Sequence, residues 1–397
     1  MPVGDGAMRV RTGFVVILIF YHVFSSYLSS SILKGRYIFC IFSTPMGSLT
    51  DTAYYSRKTI NWSILVIIFY IIARIAFSIA VAVYLQIFPP QPPPPNYKFD
   101  RLPAVKFPNP IASPSGEMTY RLETIEGYVP HASDSAVVYF MPKNAPTLLG
   151  LSNATAFAKR LNFSDTPIQE TKSLYRFSDD TAPLRMMRYD IVSKNFYLRY
   201  GYERDVSLFS ERDIPFAEKA QTEARSFITS FGLKKDDISM TGSIVTPLRL
   251  LGDKLVTSPS VSLADAVRVD MFRTPIDGTP VVSPYPDEGP ISVIISGTKD
   301  TKKRILQVSY TYWAIDKSNF GTYGLKTSND AWMELQAGKG YVARYPKSGG
   351  TQAVIRSVYV AYYDSTVAQT YLQPVFVFEG DDGFLAYVPA ILPEWTE

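Results

Sequence analysis

From Ile60 to Phe88 the chain reads INWSILVIIFYIIARIAFSIAVAVYLQIF, 29 residues with a single charge. About 20 apolar residues suffice to cross the hydrocarbon core of a bilayer. The run is too long for an ordinary buried helix and is read as a transmembrane segment. Arg57 and Lys58 precede it, whereas Pro89 to Tyr97 carry no charge. The excess of basic residues on the cytoplasmic side then places the N-terminal flank in the cell and everything after residue 90 outside the cytoplasm. Trp62 and Tyr84 stand where amphipathic rings mark the two interfaces, with Tyr70 between them.

Arg74 falls near the middle of this span. A guanidinium there costs roughly 2.5–3.5 kcal/mol even on lenient insertion scales. Two readings stand: a contact with an acidic group or carbonyl of a partner's transmembrane helix, or a tilted helix from which the side chain snorkels to the interface.

Upstream, Gly13 to Leu33 is a second apolar stretch, flanked by Arg9 and Arg11 on one side and Lys34 and Arg36 on the other. It could also span, but basic residues at both ends give it no orientation. No small-residue cleavage motif follows it. The sole cysteine, Cys40, lacks the small neighbours expected of a lipidated one. Met46 offers a conventional start, so residues 1–45 are read either as a membrane-associated extension or as untranslated sequence, and 46–59 as a cytoplasmic tail.

After the span comes PPQPPPP, Pro89 to Pro95, with further prolines at 103, 108, 110 and 114. Proline breaks helices and is excluded from sheet interiors. The segment 89–116 therefore reads as a polyproline stalk. At about 3.1 Å per residue, its first stretch alone would extend roughly 20 Å.

The remainder, 117–397, is read as an α+β chain of antiparallel sheets with helices packed on one face. Strands are expected at 118–128, 136–141, 173–177, 185–192 and 196–202, with helices at 147–161 and 216–231. Strands at 243–250, 264–272, 291–296, 304–314, 354–362, 372–378 and 384–388 follow, with a short helix from Asn329 or Asp330 to Gly338. Two tandem modules, 117–235 and 236–397, are the economical division. The 27 Tyr and 24 Phe favour strands.

The segments IDGTPVV, ISVIISG and RILQVSYTYWAID set Phe272, Gly278, Pro280, Val281 and Val282 on a line of strand, turn, strand, turn, strand. Ala331 to Leu335, Ile355 to Asp364 and Leu372 to Pro374 continue it. In this the chain resembles the extracytoplasmic regulators of the YycH and YycI type, single-pass proteins with modules similar to PepSY and cystatin-like folds. The resemblance implies a protein without catalysis that restrains or senses a partner.

Composition narrows the chemistry. With 40 basic against 36 acidic residues and no basic block, nucleic acid is excluded as a partner. One cysteine and two histidines leave almost nothing for a disulfide, a cysteine metal cluster or an imidazole shuttle. His131 with Ser133, Asp134 and Ser135 reads as a surface loop, since sequence neighbours cannot supply a triad's geometry. Glu379, Asp381 and Asp382 could hold calcium, as could Asp287 and Glu288, but both sets read better as solvated turns. Gly338, Lys339 and Gly340 end a helix and lack the rest of a phosphate loop. No cofactor is expected.

Aromatic residues after the GTKDTKK turn are the remaining lead. Alternation puts Tyr310 and Tyr312 on an apolar face, better suited to core than to an open platform, and leaves Trp313 on the mixed face as the most reachable. The expected function is that of a membrane-anchored extracytoplasmic protein of a bacterial envelope, acting by protein contacts. Its partners would be the bilayer and a membrane or envelope protein. The alternatives are an envelope hydrolase with an unrecognised carboxylate site and a structural subunit of a membrane complex.

Overall fold

The computed structural model describes residues 49–87, 94–109, 117–164, 166–179, 182–211 and 213–397, in two units divided at Pro90. The segment 13–33 and the start at Met46 lie outside them.

The described residues of the first unit form a helix, α1 (Leu49–Ile87), of 39 residues. No glycine or proline interrupts it and Pro89 follows its end. Its stretch Ser56–Tyr84 is long and apolar enough to cross a membrane, and none of it is buried. Trp62, Phe69 and Tyr84 are all exposed. A helix satisfies every backbone polar group internally, which is what hydrocarbon surroundings require. The helix also takes in Leu49 to Thr59, so the polar flank is helical too.

The second unit, from Gln91 to Glu397, is α+β. One sheet has nine strands: β3 (Ile168–Gln169), β4 (Leu174–Ser178), β5 (Arg185–Asp190), β6 (Phe196–Tyr200), β7 (Ile244–Leu251), β8 (Lys254–Thr257), β9 (Ala266–Met271), β11 (Ile291–Ser296) and β12 (Ile305–Tyr310). Their spatial order is β3-β4-β5-β6-β12-β11-β9-β7-β8, antiparallel throughout. Helices α2 (Gly150–Arg160) and α3 (Ala217–Ser230) lie on one face. Ala154, Ala158, Ala220, Ala224 and Ile228 let them approach closely and share a core with Phe177, Met187, Leu198, Val269, Val293 and Val308. Removing such apolar surface from water stabilises by about 25 cal/mol per Å².

The other sheet has eight strands: β1 (Thr119–Leu122), β2 (Ser135–Phe140), β10 (Val281–Val282), β13 (Asp316–Gly324), β14 (Tyr341–Arg344), β15 (Gln352–Tyr363), β16 (Tyr371–Gly380) and β17 (Leu385–Pro389). Its main path runs β1-β15-β16-β17-β14, while β2 pairs with both β16 and β13. Unlike the expectation of antiparallel sheets, β1 and β10 both run parallel to β15. Helix α5 (Ser328–Gln336) packs Ala331, Trp332 and Leu335 into this sheet's core. The Thr327 side chain caps it by accepting from the Asp330 amide, so the cap is Thr327 and not Asn329 or Asp330. The GTKDTKK turn contains a single helical turn, α4 (Thr301–Arg304), capped by Asp300.

Two further expectations need correction. The sheets do not follow the division into 117–235 and 236–397, because β12 pairs with β6 and joins both stretches into one ladder. Meanwhile β1 and β2 cross to the sheet built from the chain's end. Gly232, at φ +70°, does end α3, but a helix end inside a sheet's connections is not a domain boundary. The segments carrying the resemblance are likewise divided, with β10 in one sheet and β11 and β12 in the other.

The stalk 89–116 is also revised. Asn96 donates to the Thr322 carbonyl at 3.0 Å, Tyr97 stacks on Trp395 at 3.8 Å, and Leu102 is fully buried. The Leu102 amide donates to the Trp395 carbonyl at 2.9 Å, and the Glu397 amide to the Leu102 carbonyl at 2.8 Å. Farther along, Phe107 stacks on Tyr341 at 4.9 Å. Residues 94–109 are thus part of the fold. Prolines remove backbone donors, but nothing prevents the side chains between them from being buried.

Candidate functional site

The aromatic residues after the GTKDTKK turn do not form an open platform. Tyr310 is 4% exposed, stacks on Phe196 at 5.4 Å, and donates to the Leu233 carbonyl at 3.1 Å. The ladder ends there, so alternation no longer governs the next residues. Tyr312 is half-buried and donates its hydroxyl to Asp237 Oδ1 at 3.0 Å. Trp313, expected to be the most reachable, packs beside Tyr139, Met141, Ile276 and Tyr362. Its Nε1 is sealed from solvent without a partner among the described residues.

What these residues surround is Arg273, just past the end of β9. Arg273 Nε donates to Asp364 Oδ2 at 2.9 Å, Nη2 to the Trp313 carbonyl at 2.9 Å, and Nη1 to Asp237. The guanidinium also lies 5.1 Å from the centre of the Tyr312 ring. The side chain of Arg273 is 2% exposed and that of Asp364 7%. Burial pushes the Asp364 carboxyl above the ordinary carboxylate range, against the pull of Arg273. Burial, followed by the Asp237 charge, pushes the Tyr312 hydroxyl up to about 12. This network joins the two sheets, because Arg273 follows β9 while Asp364 follows β15 and is pinned by donating its amide to the Val282 carbonyl at 2.8 Å.

Asp364 lines a cleft of about 290 Å³ together with Glu288, Ser309, Thr311, Ser365 and Thr366. Hydroxyls dominate its wall, a composition suited to hydrogen bonding with a polar ligand. Both acids are engaged: Asp364 Oδ2 by Arg273, and Glu288 by Arg268 Nη1 at 3.2 Å. Asp364 Oδ1 is buried with no hydrogen-bond partner among the described residues.

Asp287 accepts from Arg344 at 2.5 Å. Asp381 accepts from Arg356 Nε and Nη2 at 2.6–2.9 Å, and Asp382 from the Ser348 amide at 2.6 Å. The two aspartates of the EGDDG turn are therefore held by an arginine and a backbone amide, while Glu379 is exposed. His131 and Asp134 stand 3.8 Å apart with both side chains in solvent. Gly338, at φ +71°, ends α5 as its position implied. Arg74 lies within α1, whose apolar stretch Ser56–Tyr84 contains no acid.

A further group escaped the sequence reading. Arg176, Arg188 and Arg199 occupy the face of β4, β5 and β6 turned away from α2 and α3. The signal was present, since Phe177, Met187, Tyr189 and Leu198 alternate with them and enter the core. It pointed to strands, and only the pairing of those strands brings the arginines together.

No protein-family model and no curated protein matches this chain. Among solved structures, an uncharacterized protein from Eubacterium rectale ATCC 33656 is similar at 11% identity, covering 65% of this chain and 82% of its own, with a TM-score of 0.36. That likeness is too loose to support a conclusion about fold or function.

Proposed function

We propose that this chain is a membrane-anchored protein whose folded unit lies outside the cytoplasm and regulates an envelope partner by binding it, without catalysing a reaction. The observation that carries the reading is the helix Ser56–Tyr84, apolar around its whole circumference and unburied, in a chain whose other unit has its own cores. Left in water, such a surface would aggregate; in lipid it is satisfied. The basic flank at Arg57 and Lys58 gives the orientation. The resemblance to the YycH and YycI regulators fits the same function.

Alkaline extraction of membranes should leave the full chain in the pellet, and protease added to intact cells should degrade the folded unit. Release by alkali, or protection of the C-terminal end, would overturn the reading. Crosslinking with mass spectrometry in the native membrane should identify a membrane or envelope protein. If Arg74 meets an acid or carbonyl of that partner's helix, Arg74→Leu should reduce co-purification several-fold while leaving membrane insertion intact. Unchanged recovery would assign Arg74 to snorkelling.

One observation favours the hydrolase alternative: Asp364 and Glu288 line a single cleft, and Asp364 is buried with a raised carboxyl. Such environments tune general acids. Their engagement with Arg273 and Arg268 argues for a structural role. Hydrolysis of envelope polymers by the purified chain, abolished in both Asp364→Asn and Glu288→Gln, would reverse that judgement.

A further inference from the structure

The registers of the nine-stranded sheet line up its outward residues in rows. In one row Arg176 stands opposite Arg188, and Arg188 opposite Tyr197. In the next, two residues along, Ser178 stands opposite Met186, and Met186 opposite Arg199. Like charges directly opposite one another destabilise a sheet. Among the described residues Glu170 alone answers two of them, at 3.2 Å from Arg176 Nε and 3.0 Å from Arg188 Nε. Arg199 pairs with Glu203. Arg204 is exposed and has no acidic partner among the described residues. Positive charge therefore exceeds negative across this patch, and the side chains of Arg176, Arg188 and Arg199 are 38%, 49% and 33% exposed.

The patch is concave. A cleft of about 400 Å³ lies between these strands and the turn at Gly201 to Arg204, lined by Arg176, Arg199, Arg204, Leu184, Met186 and one acid, Glu203, with Arg188 beside Arg176 outside the lining. Each guanidinium has five N–H donors in a planar fork, and the ion pairs engage only part of them.

We propose that this cleft docks an extended segment of a partner protein in which every second residue, the set on one face, is by turns acidic and apolar. The inference rests on the binding function proposed above and names its surface and partner chemistry. Carboxylates match the guanidinium forks in shape and charge. Side chains on one side of an extended chain recur about every 6.5–7 Å, the distance between the two rows. A segment laid along the strands thus sets acids over the Arg176 and Arg188 row and apolar side chains against Met186 and Leu184, with methionine adapting to their shape. A bilayer surface is flat and cannot enter the cleft, and a polyphosphate has nothing to place on its apolar wall.

The test uses the full chain in nanodiscs of zwitterionic lipid and a fluorescent twelve-residue peptide of repeating Glu-Ser-Leu-Ser, which sets Glu and Leu by turns on one face, with empty nanodiscs subtracted. The peptide should bind, the Gln-for-Glu peptide at least tenfold more weakly, and affinity should fall with added salt. Arg188→Gln with Arg199→Gln should weaken binding at least tenfold without shifting the thermal transition appreciably. Met186→Ala should weaken it several-fold, and Arg249→Gln, exposed on β7 of the same sheet, should leave it unchanged. Equal binding by the double arginine variant, equal binding of the Gln peptide, or stronger competition by anionic vesicles or polyphosphate than by unlabelled peptide would each overturn the proposal. If crosslinking finds an envelope partner that the double variant still binds normally, this docking surface falls and the regulatory function stands. If the chain proves not to be membrane-bound, the regulatory function falls whatever the peptide does.

Discussion

Replacing Arg273 by methionine is expected to destabilise the folded unit by about 3–5 kcal/mol, the largest effect of any single polar substitution in it. Two carboxylates, Asp364 and Asp237, converge on this guanidinium, and Asp364 is almost wholly enclosed. Methionine matches the volume of the stem and leaves both charges without their counter-ion. By contrast, Asp364→Asn should change stability by about 1 kcal/mol or less. An amide oxygen can still accept from Arg273 Nε, and Asp237 still balances the cation. Urea denaturation followed by tryptophan fluorescence measures both. Equal losses in the two variants would show that packing, and not charge compensation, sets the energetics.

The pH dependence of that difference follows from the direction of the Asp364 shift. Its carboxyl is raised in the folded state by burial, so its contribution to stability is fully present below the ordinary carboxylate value and is lost as pH rises through the folded value. Without Arg273 the rise is larger. The deficit of the methionine variant should therefore be smallest near pH 4 and grow toward neutrality. A deficit that shrinks with rising pH would contradict the assignment of charge to Asp364.

Arg273 and Asp364 are 91 residues apart, and each is unremarkable alone. Their meeting depends on β9 and β15 belonging to different sheets that pack together, which no local pattern encodes. What could be read were features with a period or a composition. The apolar run of α1, the alanine stripes of α2 and α3, and the turn at Asp277 and Gly278, with φ of +49° and +83°, all appear where the residues implied. Tyr310 enters the core as alternation required, but Trp313 lies beyond the last ladder residue, where the period of two has ended. The strand DKSNFGTYG was missed because its first half is polar and exposed, and only Gly321 to Gly324 are buried. Strand order was the largest loss. β12 finds β6 across more than a hundred residues, and hydrophobic alternation records which face is buried without recording the neighbour.

Leu102 is fully buried in a core with Val138, Tyr323, Leu325 and Ile391, and its backbone bridges to Thr396. Leu102→Ala should destabilise the folded unit by about 2–5 kcal/mol, through lost transfer energy and the cavity left behind. Leu102→Asp should do worse and prevent cooperative folding, because a carboxylate placed there would meet an apolar core and no counter-charge. Neighbouring Arg101 is exposed, and Arg101→Glu should stay within about 0.5 kcal/mol of the parent. Urea denaturation and limited proteolysis of the full chain distinguish the cases. In a free polyproline spacer all three substitutions would be silent. Against a docked segment they separate sharply, because the energetic difference between Arg101 and Leu102 arises from the side-chain burial that the proline content concealed.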